Sequence, residues 1–399
     1  MRLRSLPYVH AELSGPPGGP GKSVTRRELL STVSLAFAAA PGGQGAEDGF
    51  TPLFDGVSLK GWSIREGPQS AFYVNDGAIV VHEGSNFPTW LRSEKRYENF
   101  DFRCEFFIKG WMNSGIFLHA PEHGRNAETG IKINVFHKQD QKMLTESIGS
   151  VFPLVAPFKV NVRNKGEWNS MRAAVDWPRL RVWINDDMVQ DLDVESVPDL
   201  RCRLRRGYIG LESLSYPIRF RNLRIKELPS KEKWQALYEK PADLAQWEVV
   251  EGKAKWEPLG EVLRADGLGH LATRERYRDF EFHAYMRPSR WSNGGVLFRA
   301  DGAGNQGRHY EIQVHDVEGA VYPTGSLYGI RRAIYPKIEP EKWFLMQLVV
   351  KGRYCLVRIN GENVVEYNDL EDLEPGRIML QAHQAGRWIE YKQVRVKSA

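Results

Sequence analysis

The chain repeats itself, and this internal duplication constrains its fold more than any other feature of the 399-residue sequence. Segments of the first half reappear in the second half in the same order and at nearly constant spacing, as expected for repeated structural modules. The matching segments are 97–102 with 277–282, 111–116 with 291–296, 184–186 with 359–361, and 207–211 with 376–380. A chain of this length exceeds one comfortable core. We therefore expect two modules, 47–229 and 234–399, on either side of a polar break.

Both copies have the sequence pattern of β-strands. Apolar and polar residues alternate over 100–106 and again over 180–184, which is the period of a half-buried strand. The strand at 356–359 runs into Asn360-Gly361, the strongest short signal for a hairpin. No amphipathic helix longer than about two turns is apparent. Many strands separated by turn signals predict an all-β protein of two tandem jelly-roll sandwiches.

The charge distribution argues against a nucleic-acid partner. The formal net charge is +5, but most of that excess falls in residues 1–46. The dense basic run Arg201, Arg203, Arg205 and Arg206 lacks the interleaved aromatic residues of a base-stacking platform, and we interpret it as a solvated loop. No stretch approaches the roughly 20 apolar residues of a transmembrane helix.

The three cysteines are scattered, without the spacing of a disulfide framework or of a metal site. Cys104 is in phase with Phe102 and Phe106, so we expect it to lie in a core. No dense cluster of Asp and His ligands appears either, and the residues leave the question of a metal open.

Residues 1–46 have the pattern of an export signal. The pair Arg26-Arg27 precedes a short, weakly apolar run at 33–40 that is rich in small residues. The paired arginines are typical of the twin-arginine signal of bacteria. We expect cleavage between Ala38 and Ala46, and a periplasmic or secreted protein.

A succession of short motifs points to one family. The first copy supplies Phe54-Asp55-Gly56, Gly61-Trp62 and Asn113-Ser114-Gly115, and the second supplies Asn293-Gly294-Gly295, Tyr310-Glu311-Ile312-Gln313-Val314-His315-Asp316, Gly325-Ser326-Leu327-Tyr328-Gly329 and Gly376-Arg377-Ile378-Met379-Leu380-Gln381-Ala382-His383. In this order they resemble the 3-keto-disaccharide hydrolase family, present here as two tandem copies. The resemblance implies concanavalin-like jelly rolls that cleave 3-keto-glycosides, by hydrolysis or elimination. A divalent metal cofactor rests on the resemblance alone.

Such a reaction defines which residue types are needed. A ketone at C3 of a sugar acidifies the hydrogen at C2, and removal of that proton allows the glycosidic oxygen at C1 to leave. The site then needs a general base, a group that stabilises the enolate, and an acid for the leaving group. A divalent metal can serve as the second element.

The second copy offers these residue types together. Glu311, Gln313 and His315 occupy alternate positions and so share one face of one strand. A bulge near the end of that strand would bring Asp316 onto the face instead. Arg299 ends the strand that we expect to be a neighbour.

Roles follow from side-chain chemistry. We assign Glu311 or His383 as the base and Arg299 as the clamp on the enolate or on a hydroxyl. The expected substrate contacts are Gln313, Tyr328, Asn293, Asp316 and His315.

The first copy serves as an internal comparison, because every candidate catalytic group has changed type. The repeat aligns Arg299 with His119, Glu311 with Lys132, Gln313 with Asn134, Tyr328 with Phe152, and His383 with Leu214. We predict that residues 50–228 keep the fold without the chemistry of the second copy. They would bind glycan, support the partner module, or carry a different site around Lys132, His137 and His119.

Three functions remain in competition. The first is an enzyme acting on oxidised glycosides, small-molecule or oligosaccharide. The second is a non-catalytic, lectin-like tandem, which exposed Trp or Tyr in a groove would favour, since a sandwich fold alone does not choose between these roles. The third is an ordinary glycosidase, whose Glu311 and Asp316 carboxyls would lie about 5–5.5 Å apart if it were a retaining enzyme.

Overall fold

The computed structural model describes residues 49–84, 88–136, 143–302, 307–334 and 338–398. The export segment and His137 lie outside these ranges, so the predictions made for them stay predictions. In the described part of the chain, no helix is long and apolar enough to cross a membrane.

The first module is built from strands, with one short helix, α1 (Asn126–Thr129), and two 3₁₀ turns (Gln69–Ala71 and Val194–Ser196). Its strands are β1 (Thr51–Pro52), β2 (Trp62–Arg65), β3 (Phe72–Asn75), β4 (Ala78–Val81), β5 (Thr89–Tyr97), β6 (Asn99–Phe107), β7 (Asn113–Ala120), β8 (Ile131–Phe136), β9 (Val151–Phe152), β10 (Trp168–Asp176), β11 (Arg179–Ile184), β12 (Asp187–Asp193), β13 (Gly207–Ser213) and β14 (Arg219–Leu228). They form two antiparallel sheets, one in the order β12-β11-β10-β6-β14-β4-β3 with β1 beside β14, and one in the order β2-β5-β13-β7-β8-β9.

The second module repeats this plan, with one 3₁₀ turn at Pro241–Gln246. Its strands are β15 (Gln235–Tyr238), β16 (Trp247–Gly252), β17 (Lys255–Leu259), β18 (Val262–Asp266), β19 (Gly269–Thr273), β20 (Phe280–Pro288), β21 (Asn293–Ala300), β22 (Tyr310–His315), β23 (Phe344–Lys351), β24 (Tyr354–Ile359), β25 (Glu362–Tyr367), β26 (Arg377–Ala382) and β27 (Ile389–Ser398). The larger sheet has the order β17-β18-β27-β20-β23-β24-β25 with β15 beside β27, and the smaller has the order β16-β19-β26-β21-β22. The all-β, tandem-sandwich prediction is confirmed.

Alternation along the strands explains the two cores. On β6, Phe100, Phe102, Cys104 and Phe106 are all buried in the first core, as the sequence predicts. Burial raises the pKa of the Cys104 thiol, which makes it a weak nucleophile. Each core contains a buried indole whose N–H donates to a backbone oxygen about ten residues earlier: Trp62 to Leu53 in the first module and Trp247 to Leu237 in the second.

The two hairpin turns predicted from the sequence are present. In the β11–β12 turn, Asn185 and Asp186 have φ of 49° and 68°; in the β24–β25 turn, Asn360 and Gly361 have φ of 49° and 86°. Two successive residues with positive φ give the twist that a two-residue hairpin requires.

The two sandwiches pack together, and the interpretation of the basic run as a solvated loop holds for the exposed Arg201 and Arg206 but is wrong for Arg203 and Arg205. Arg203 and Arg205 are each only 5% exposed. The guanidinium of Arg205 lies 2.5 Å from the carboxylate of Glu281 in the second module and 3.1 Å from that of Glu232. A buried guanidinium needs partners. Those of Arg203 are backbone oxygens of its own module, whereas Arg205 also pairs with Glu232 and Glu281 beyond that module, which the local sequence does not show.

The outer face of the larger sheet of the second module supplies much of this interface. The backbone N–H of Glu122 donates to the hydroxyl of Tyr285 at 2.7 Å, and the ammonium of Lys392 lies 2.5 Å from the Glu122 carboxylate. The β24–β25 turn also reaches the first module, because a Cβ on Gly361 would meet the backbone oxygen of Glu128 at 2.6 Å. Residues 47–399 accordingly form one compact unit.

Candidate functional site

The candidate site lies on the outer face of the smaller sheet of the second module. On β22, Ile312 and Val314 point into the core, so Glu311, Gln313 and His315 point to the opposite face. Strand β22 pairs with β21 in an unbroken register from Asn293–His315 to Phe298–Tyr310. The bulge that would have placed Asp316 on this face is therefore absent.

The strand register arranges this face in two rows, which we call the site face. The first row is Glu251, His270, Gln381, Gly295 and Gln313. The second row is Glu248, Ala272, Met379, Leu297 and Glu311. The first row is thus mostly polar, and the second is apolar in the middle with a carboxylate at each end, Glu248 and Glu311.

Glu311 is the carboxylate with the most unusual surroundings on the site face. Its side chain leans over Gly295, because a Cβ on that glycine would lie 2.5 Å from Oε1 of Glu311. Glu311 is 9% exposed, and no cation among the described residues pairs with its carboxylate. Burial raises the pKa of Glu311 to about 7. A carboxyl group with this pKa suits proton abstraction near neutral pH.

A histidine that the sequence interpretation missed stands in the same row. His270 is 2% exposed; its Nδ1 lies 2.9 Å from a carboxylate oxygen of Glu251 and its Nε2 lies 3.2 Å from the amide nitrogen of Gln381. Burial lowers the pKa of His270, so its neutral form dominates at pH 7. When the Gln381 amide donates to Nε2, the proton of the neutral ring is on Nδ1, the side on which the Glu251 carboxylate lies.

Sequence reasoning could have found part of this group. Gln381 belongs to a motif that was recognised, but no role was given to it. His270 lies on β19, which pairs with β26, and Glu251 lies on β16, which pairs with β19. These pairings cannot be read from local alternation, so nothing in the sequence placed the two residues on the same sheet face as Glu311.

Arg299 is not on the site face. It follows a register shift in β21 and has φ of 49°, which turns its side chain away from the row. Its fully buried guanidinium donates to the backbone oxygens of Asp372 at 2.7 Å and Gly352 at 2.9 Å, and pairs with Asp279 at 3.2 Å. Arg299 thus anchors loops, and its assignment as a substrate clamp is not supported by this placement.

Tyr328 and Asn293 border the site face. The backbone N–H of Tyr328 donates to the backbone oxygen of Glu311 at 2.9 Å, and its ring, about half exposed, packs against Tyr322. Asn293 pairs with His315 across the β21–β22 ladder. Tyr328 thus lies next to the predicted base, and Asn293 lies opposite the last residue of its strand.

The remaining predicted residues lie beyond the end of the rows. His383 follows β26 and is exposed. Nδ1 of His315 lies 3.1 Å from the backbone oxygen of Ser292. The carboxylate of Asp316 accepts from the Thr324 hydroxyl at 3.1 Å, beside a cavity of about 530 Å³. The structure therefore brings Glu311 together with Gln313 and leaves these three at the rim.

The paired-carboxylate glycosidase is not supported. Glu311 lies within the strand and Asp316 just after it. Five residues of extended chain separate their Cα atoms by about 16 Å. A retaining pair requires about 5–5.5 Å between carboxyl groups.

The matching face of the first module has the same shape and different chemistry. Lys132 leans over Gly115 as Glu311 leans over Gly295, with Cε 2.4 Å from where a Cβ on Gly115 would be. Its ammonium lies 2.6 Å from the carboxylate of Glu212, the residue aligned with Gln381. An ion pair thus occupies the place of the unpaired carboxylate.

His119 does not join Lys132 in a second site. It is fully buried, and its Nε2 lies 2.6 Å from the backbone oxygen of Glu98. Burial lowers the pKa of His119 to about 4. It anchors the strand end, as Arg299 does in the second module.

The described residues do not fit the metal that the family resemblance raised. They contain no group of three or more His, Cys, Asp or Glu side chains placed to hold a metal ion. The described side chains therefore offer no metal-binding cluster to the candidate site.

Two antiparallel sandwiches, one of them with a buried carboxylate on the outer face of its smaller sheet, define a tandem β-sandwich protein. The chain belongs to the 3-keto-alpha-glucoside-1,2-lyase-like domain family, whose model matches residues 49–226 and again 232–397. The family resemblance drawn from the motifs, with two tandem copies, is confirmed. No curated protein matches the chain.

Two solved structures that are similar to this chain each span less than half of it. A protein from Parabacteroides distasonis, provisionally named a glycosyl hydrolase, is 22% identical over 45% of this chain and 94% of its own, with a TM-score of 0.40. A carbohydrate-binding module from Bacillus subtilis is 16% identical over 38% of this chain and 96% of its own, with a TM-score of 0.29.

Proposed function

We propose that the second module cleaves the glycosidic bond next to a 3-keto sugar, with Glu311 as the base that removes the proton from C2. The observation that carries this proposal is the buried, unpaired carboxylate whose pKa is raised to about 7. Family membership supports the reaction class. The loss of this carboxylate in the first module, where Lys132 replaces it, supports its assignment to chemistry.

The reaction needs one side chain that first accepts and then returns a proton. Glu311 takes the proton from C2, and the C–H electron pair forms an enolate with the C3 ketone. The enolate then expels the glycosidic oxygen from C1, leaving a C1–C2 double bond. The proton held by Glu311 passes to the leaving oxygen, directly or through water. Addition of water across the double bond completes hydrolysis; release before that step completes elimination.

The amides on either side of Gly295 supply the remaining polar contacts. Gln313 and Gln381 flank this glycine in the first row and are each nearly buried. Their N–H groups are suited to stabilise the enolate oxygen, since preorganised donors act strongly where water is excluded. His270, fixed by Glu251, orients Gln381 and so acts through it as a positioning residue.

The test is cleavage by purified residues 47–399. The protein is incubated with a 3-keto-disaccharide and with its unoxidised parent, with and without a chelator, and released sugar is measured. We expect cleavage of the keto form alone. Cleavage of the parent at a similar rate would contradict the mechanism, and no cleavage by folded protein would favour a tandem glycan-binding protein.

We further propose that the chain is exported through the twin-arginine route. The proposal rests on Arg26-Arg27 and the run that follows. N-terminal sequencing of protein recovered from a bacterial periplasm would show a start between residues 39 and 47, and replacement of both arginines by lysine would retain the protein in the cytoplasm.

A further inference from the structure

Two of the twelve tryptophans stand out by their exposure. Trp111 is 59% exposed and Trp291 is 56% exposed, whereas the other ten, which also lie in the described residues, are more buried. The two occupy the same position in the repeat, just before β7 and just before β21. The position therefore keeps an exposed indole in both modules, although the positions around Glu311 diverged. Exposed aromatic surface in a defined place marks binding sites.

Trp111 is held in place by two other rings. Phe136 meets it edge-on at 5.7 Å and Tyr216 meets it edge-on at 5.4 Å. Phe136 and Lys132 are four residues apart on β8, so their side chains lie on the same face of the sheet. Trp111 therefore stands at the end of the first module's matching face. A ring already fixed by packing loses little freedom when a ligand stacks on it.

The polar groups on this face determine which ligand it suits. Lys132 and Glu212 neutralise one another at 2.6 Å and are both largely buried. An anionic ligand would have to disrupt this pair, which is unfavourable. The amide oxygens of Asn113 and Asn134 are buried and have no donor among the described residues. The face thus combines an indole with neutral, hydrogen-bonding groups.

We infer that the first module binds a neutral pyranose oligosaccharide, with Trp111 as the platform on which one sugar ring stacks. The axial C–H groups of a pyranose form an apolar surface with a partial positive charge, which matches the π face of an indole. The ion pair at the position of Glu311 leaves this module no base, so it binds without cleaving. This inference does not depend on the proposed reaction of the second module.

The experiment is isothermal titration of the full chain carrying Trp291→Ala, which removes the equivalent platform of the second module. The probes are maltotetraose, cellotetraose and tetragalacturonate. We expect one of the two neutral tetrasaccharides to bind. Adding Trp111→Ala should weaken that binding at least tenfold, and Trp111→Phe should restore part of it.

Two controls separate stacking from folding. Tyr73 is an exposed aromatic residue of the same module, 44% exposed, and Tyr73→Ala should leave binding unchanged. Thermal unfolding should show that all variants are folded. The inference is overturned if Trp111→Ala binds as tightly as its parent, if tetragalacturonate alone binds, or if neither neutral tetrasaccharide binds.

Discussion

At the scale of single residues, two buried glutamates have pKa values shifted in opposite directions because their neighbours differ. No cation among the described residues pairs with the buried Glu311, and burial alone raises its pKa. Glu281, which is also buried, lies against Arg205 and His283, and the pKa of Glu281 falls well below its usual value. One carboxyl is poised to exchange a proton and the other is held ionised.

The first prediction concerns activity. Glu311→Gln should lower cleavage of a 3-keto-disaccharide by about 10²- to 10⁴-fold, the usual contribution of a general base. Because the ionised form is the active one, the rate of the parent protein should rise with pH and level off above about 7. A pH–rate profile checks this, and a rate that falls through pH 7 would contradict the role of Glu311 as base.

The second prediction concerns stability at the same residue. The folded state raises the pKa of Glu311 from 4.5 to about 7. The folded protein therefore holds this proton more tightly, and the Glu311 contribution to the free energy of unfolding falls as pH rises from about 4.5 to 7. Glu311→Gln avoids this loss and should be more stable than the parent at pH 8 by up to about 3 kcal/mol.

Urea unfolding of both proteins at pH 4 and pH 8 measures this difference. The two should be nearly equally stable at pH 4, where the parent carboxyl is protonated. A difference that does not change with pH would show that the substitution acts through packing instead.

At the scale of strands, alternation and turn chemistry predicted most of the fold. The alternation of 100–106 determined which side of β6 is buried, and Asn360-Gly361 located a hairpin. Alternation and turn chemistry do not predict the position of a residue that depends on which distant strands pair. Arg299 was misassigned because the register shift near it turns its side chain, and His270 was missed because its row forms only when β19 pairs with β26.

The third prediction tests the strand pair that positions the base. A methyl group on Gly295 would displace the carboxyl end of Glu311, so Gly295→Ala should reduce cleavage at least tenfold, while the flexible side chain limits the loss of stability. The matched control is Gly115→Ala, which would displace Lys132 in the same way and should leave cleavage unchanged. Equal effects of the two substitutions would show that the site does not depend on Glu311.

At the scale of the whole molecule, the two sandwiches are joined by buried charge. Arg205 comes from a run that the sequence presents as a surface loop, and its partners Glu232 and Glu281 lie outside that module's own sheets. Local composition cannot reveal a partner far along the chain, which is why Arg205 was misinterpreted while the cores were not.

The fourth prediction concerns this interface. Arg205→Ala should lower the free energy of unfolding by about 3 kcal/mol, since it removes the nearest cation of the buried Glu281 and leaves the more distant Lys397 beside it. Arg181→Ala, which removes a cation from an exposed pair with Asp191, is the control and should have little effect. Chemical denaturation measures both, and equal losses would show that the interface pair is not special.

The way the modules meet also determines what can approach the site face. The first module covers the outside of the larger sheet of the second, near Tyr285 and Lys392. The site face belongs to the smaller sheet, on the opposite side of the core. The first module therefore does not obstruct the site face, and it would not limit the length of a glycan that reaches this face.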